Sequence, residues 1–144
     1  MGEYPTRPVA IAKRSKIMTL KMYEVINFPS FYEKVKSQKL PFKTSYHLTL
    51  LAQEIEKHTV FYQEQFRELL NTYGQKNEDG TFVMTDDGQG VRLIEETMNE
   101  AYEKMAELRQ LDVELPDVKL DIDQFNNVEL SSEEMVTFMP FFRA

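Results

Sequence analysis

The chain contains no cysteine. That excludes a disulfide framework, a thiolate metal site and a cysteine nucleophile, and it removes the main argument for secretion, so synthesis inside the cell is the expectation. Glycine is scarce, with five in 144 residues, and none falls in a phosphate-cradling pattern or in a serine nucleophile elbow. The apolar runs are only a few residues long, and the N-terminus lacks the basic-then-apolar plan of a signal peptide, so no membrane span is expected. Positive charge is short over most of the chain. Residues 1 to 45 hold 9 Lys and Arg against 3 Asp and Glu, a balance of +6, whereas residues 46 to 144 hold 8 against 21, a balance of −13. Two accounts of this split stay open. The basic segment lies over the acidic remainder of its own chain or a neighbouring copy, or it reaches for nucleic acid or an acidic partner.

What is present suits one core: 42% of residues are hydrophobic and 12% aromatic. From Thr44 to Gly74, the residues Leu48, Leu51, Ile55, Tyr62, Phe66, Leu69 and Tyr73 recur at helical spacing and predict one long helix. Its other face carries Gln53, Glu56, Lys57, Gln63, Glu64, Arg67 and Glu68, and Gly74 stands where a left-handed cap belongs. Val91, Ile94, Met98, Tyr102, Met105 and Leu108 predict a second long helix over about 90 to 110. Joined by about 15 residues, the two are expected to pack antiparallel.

Around this pair the smaller elements follow from local chemistry. Residues 1 to 16, with Pro5, Pro8 and the cluster Lys13, Arg14, Lys16, predict an extended basic arm, and residues 17 to 144 a single domain. Alternation over 17 to 26 favours a strand, with a helix as the rival reading. Asn27 and Pro29 open a short helix through Phe31, Tyr32 and Val35 that stops before Leu40-Pro41. Asp79-Gly80 and Asp87-Gly88 are turn signals flanking a β-prone stretch at 81 to 85. Residues 112 to 122, interrupted by Pro116, predict an edge strand. Ser131 with Glu134 forms a capping box, and Leu130 with Met135 the matching staple, so a C-terminal helix should run from Ser132 toward Met139 and end at Pro140. The fold class expected is α+β: two long antiparallel helices (about 44 to 73 and 90 to 110), a small sheet drawn from 17 to 26, 81 to 85 and 112 to 122, and the short C-terminal helix.

Few residues point to chemistry. His47 and His58 are 11 residues apart on the long helix, about 16 Å by the helical rise, too far for one metal ion. Glu54 and His58 form an i, i+4 pair better read as helix support. The acidic residues Asp112, Glu114, Asp117, Asp121 and Asp123 lack the glycine-bearing loop and closing Glu of a calcium site. No catalytic residue, metal ligand or cofactor is assigned, and the chain is expected not to be an enzyme.

The run from Lys39 through Leu40, Pro41, Phe42, Lys43, Thr44 and Ser45 to Tyr46 leads into a long helix ending at Tyr73-Gly74, with Glu78-Asp79-Gly80 beyond. The chain finishes with Val113-Glu114-Leu115, Val128-Glu129-Leu130-Ser131 and Met139-Pro140-Phe141. In these features, over residues 39 to 142, it resembles a family of small uncharacterised proteins of tailed bacteriophages; the basic arm is a departure from that pattern. The resemblance implies a non-enzymatic structural or accessory subunit of a phage virion, made in the host cytoplasm and residing in the particle. Other protein subunits are then the partners, further copies of the chain among them, and no membrane. A small acidic inhibitor of a host protein, and a packaging accessory touching nucleic acid through the arm, are the competing classes. The residues expected to bind partners are Tyr4, Arg7, Val9, Ile11, Lys13, Arg14 and Lys16 of the arm, with Phe138, Phe141 and Phe142 of the tail, the alternative for the tail being that it folds back on the chain's own helices.

Overall fold

The computed structural model describes residues 16–143. It is α+β: a two-stranded antiparallel sheet, one long helix and several shorter ones. In chain order these are β1 (Ile17–Lys21), α1 (Met22–Val25), α2 (Phe28–Val35), α3 (Phe42–Tyr73), α4 (Met98–Arg109), β2 (Asp112–Pro116) and α5 (Ser132–Phe138).

The alternating stretch after Lys16 is both strand and helix. Thr19 faces Glu114 and Lys21 faces Asp112 across the sheet, and Lys21 Nζ meets the Asp112 carboxylate at 2.7 Å. There the strand passes into helix: the Met22 amide makes a last cross-strand bond to the Leu111 carbonyl at 2.8 Å, and the Lys21 amide donates to the Glu24 side chain at 2.9 Å. Met22 and Val25 then turn inward as a short helix. β2 ends at Pro116, six residues earlier than the sequence suggests, with one further cross-strand bond beyond it, from the Asp117 amide to the Lys16 carbonyl at 2.9 Å. Pro29 sits in the first turn of α2, where its missing N–H costs nothing.

Pro41 precedes α3 in an extended conformation, so α2 and α3 cannot merge. The 32 residues of α3 serve two cores. Leu48, Leu51 and Ile55 of its first half enter the main core with Met22, Val25, Val113, Leu115 and the phenylalanines of α2 and the C-terminus. Tyr73, with Leu69 and Leu70, forms a smaller cluster with Leu93, Met98, Ala101 and Met105. Tyr62 and Phe66, between the two, are only half-buried and stack on each other at 5.9 Å.

Four expectations are corrected beyond α3. Gly74 does not adopt a left-handed conformation: its φ is −84° and ψ 144°. It is required for closeness instead, because a Cβ there would lie 2.6 Å from the Leu70 carbonyl oxygen and 2.9 Å from Val91 Cγ1. Residues 81 to 85 do not join the sheet. They take part in a separate ring, in which the Gln75 amide donates to the Arg92 carbonyl (2.7 Å), the Arg92 amide to Val83 (2.8 Å) and the Val83 amide to Gln75 (2.9 Å). This ring also shortens the second helix. Val91 to Ile94 are held extended by it, and α4 starts only at Met98, after a 3-10 turn over Glu95–Thr97. Lastly, Tyr102 is 56% exposed and lies off the apolar stripe, which is Met98, Ala101, Met105 and Leu108.

The two Asp-Gly steps shape the ring's turns. Gly80 and Gly88 have φ of 90° and 70°, and Asp79 and Asp87 each accept a backbone N–H and a threonine hydroxyl beside them. Those bonds to the ionised form hold both carboxyls below the usual aspartate range.

At the C-terminus, Ser131 Oγ accepts the Glu134 amide, and the Glu134 carboxylate accepts the Ser131 amide, each at 3.0 Å. The capping box is therefore present and α5 starts at Ser132. The Ser131 amide, then the Lys34 ammonium at 3.2 Å, hold Glu134 below its ordinary range.

Candidate interaction surfaces

The candidate partner-binding residues fall into three groups. Tyr4, Arg7, Val9, Ile11, Lys13 and Arg14 lie outside the described residues, as does the arm except for Lys16, whose carbonyl accepts the Asp117 amide at 2.9 Å beside β2. The tail is a correction. Phe138, Phe141 and Phe142 are buried in the chain's own core, because Phe28 and Phe31 of α2 supply ring faces for their edges. Backbone bonds from the Leu120 amide to Phe141 (2.9 Å) and from the Arg143 amide to Leu120 (2.7 Å) tie the tail down.

The third group was not singled out from sequence. At the N-terminal end of α3, Phe42 is 92% exposed and Tyr46, one turn later on the same face, 62% exposed. Lys39 and Lys43 flank them, both exposed and without an ion-pair partner among the described residues. The helix has no side-chain cap and no acid in its first turn. Beside it, Lys16, His47, Lys119 and Arg143 line a cleft of about 400 Å³ together with Asp117. Arg143 is pinned there by Asp121 at 2.7 Å. Cations from the basic N-terminal third and from the acidic remainder thus meet at one pole of an acidic protein. The available signal was the spacing of Phe42 and Tyr46, which puts two large rings on a face that the Leu48, Leu51 and Ile55 stripe does not include.

The largest cavity, about 480 Å³, lies between α2 and α3 against Phe28, Tyr32, Ile55 and Val60. Among the described residues, no group of three or more His, Asp or Glu side chains is placed to hold a metal ion. No helix among them is long and apolar enough to cross a membrane. In comparison with known proteins, no family model, no curated protein and no solved structure matches this chain.

Proposed function

We propose that the protein is a non-enzymatic structural or accessory subunit of a large protein assembly, of the phage-virion kind that the sequence resemblance implies. The observation that supports this reading most is the pair Phe42 and Tyr46, exposed on a long helix between two lysines that have no ion-pair partner among the described residues. Single exposed apolar residues are ordinary, but two aromatic rings on one helix face, ringed by charge, are the composition of an interface anchor. They contribute little to the fold, since neither enters the core. Replacing both by Ala should leave the melting temperature within about 2 °C while reducing incorporation into the assembly at least about tenfold, the scale of one lost anchor. Unchanged incorporation would remove the support that the pair gives.

A further inference from the structure

Glu96, Glu100, Glu103 and Glu107 recur at gaps of four, three and four. On α4 this places Glu100, Glu103 and Glu107 along one ridge away from the Met98, Ala101, Met105 and Leu108 stripe, with Glu100 at its edge within reach of Tyr73, and Glu96 lies in the 3-10 turn that leads into it. All four are exposed. Neighbouring like charges at these spacings oppose the helix. Within the chain the relief is partial: Glu100 accepts the Tyr73 hydroxyl and Glu107 has Lys104 at 3.9 Å, while Glu96 and Glu103 have no cationic partner among the described residues.

Lys39 and Lys43 are equally without a partner, and the two charged surfaces cannot meet in one copy. Tyr73 touches Glu100 and Tyr62 touches Arg109, so α4 runs back along the second half of α3, whereas Lys43 stands at the other end. The intervening helix spans about 30 to 45 Å at its rise per residue, several Debye lengths at physiological salt.

We infer that the basic, aromatic pole at the start of α3 docks on the glutamate ridge of a second copy, giving head-to-tail self-association. Complementary charge selects the pairing, and Phe42 and Tyr46 supply apolar area that ammonium groups alone lack. Because the donor and acceptor surfaces differ, the contact is heterologous, and each copy keeps one of each surface free. Growth then continues to a ring or an open row. This inference rests on the assembly-subunit reading, and it is tested on purified protein alone, so its failure leaves the question of particle membership to a separate measurement.

The test uses the full chain in sedimentation velocity at about 50 mM and about 500 mM salt, on either side of the ionic strength where screening falls below ~8 Å. Three proteins are compared: the natural chain, K39E/K43E, and E96K/E103K, with circular dichroism melting to establish that both variants fold. The natural chain should form species larger than a dimer that weaken at least about tenfold at the higher salt. Each variant alone should be monomeric. Their equimolar mixture should associate again, because the intact pole of one variant meets the intact ridge of the other. A monomeric natural chain at low salt, variants that associate like it, or a mixture that stays monomeric would each overturn the inference. So would capture of a single-stranded oligonucleotide by the monomeric natural chain and not by K39E/K43E, which would give the pole to nucleic acid.

Discussion

Phe31 of α2 and Phe142, next to the C-terminal end of the described residues, meet edge to face with ring centroids 5.3 Å apart and planes 83° from parallel. Phe31 makes similar contacts with Phe125 and Phe138, and Phe28 meets Phe141 at 5.0 Å. Phe138, Phe141 and Phe142 are therefore interior. Phe141→Ala should lower the unfolding free energy by about 3 to 5 kcal/mol, the cost of an emptied aromatic site in a core. Urea denaturation measures this; a loss below about 1 kcal/mol would place the tail outside the core.

Along α3 the cost of truncation should depend on which half is cut. Ile55 is 1% exposed in the main core, whereas Phe66 lies between the cores with a stacked Tyr62 as neighbour. Ile55→Ala should cost about 2 to 5 kcal/mol, and Phe66→Ala clearly less despite the larger side chain removed. Equal losses in the same denaturation experiment would mean that the middle of the helix is better covered than its half-burial indicates.

Glycine positions give a sharper contrast. Gly80→Ala meets no atom but forces a residue with a Cβ to φ 90°, costing about 1 to 2 kcal/mol. Gly74→Ala has an ordinary φ, yet its Cβ would press on a backbone oxygen at 2.6 Å. The start of the hydrogen-bonded ring must shift to admit it. Faster amide exchange at Gln75, Val83 and Arg92 should follow from Gly74→Ala and not from Gly80→Ala.

Two groups set the pH limits with opposite signs. Glu134 is held below its usual 4.5 by the Ser131 amide and Lys34, so its contribution is present above that value and is lost as pH falls through the lower, folded-state value. Tyr73 is held above its usual 10.0, chiefly by donating its hydroxyl to Glu100. Its contribution is present below 10.0 and is lost as pH rises through the higher, folded-state value. Melting temperatures of Glu134→Gln and Tyr73→Phe should therefore approach that of the natural chain at acid and at alkaline pH respectively. Convergence at the opposite ends would contradict both assignments.

The parts of this fold legible in sequence are those fixed by local chemistry. Ser131 and Glu134 cap one another in any context that lets α5 form, Pro41 breaks a helix wherever it stands, and Asp-Gly steps favour turns with positive φ at glycine. The parts misread depended on partners distant in sequence. Val91 and Ile94 fit a helical stripe, but hydrogen bonds to Gln75, Val83 and Tyr73 hold that stretch extended. For the phenylalanines of the tail the sequence left folding back and facing another subunit both open, because the rings that receive them lie in α2, more than a hundred residues earlier. The exposed pole was missed for a related reason: Lys119 and Arg143 come from the acidic part of the chain and reach Lys16 and His47 only in the folded protein.

The central claim is that this chain is a stoichiometric subunit of an assembly, and quantitative mass spectrometry of density-purified virions from cells that make the chain tests that claim most directly. The account predicts a fixed number of copies per particle that survives high-salt washing together with the known shell and tail proteins. Particles free of the chain, with all of it recovered in the soluble lysate, would contradict it.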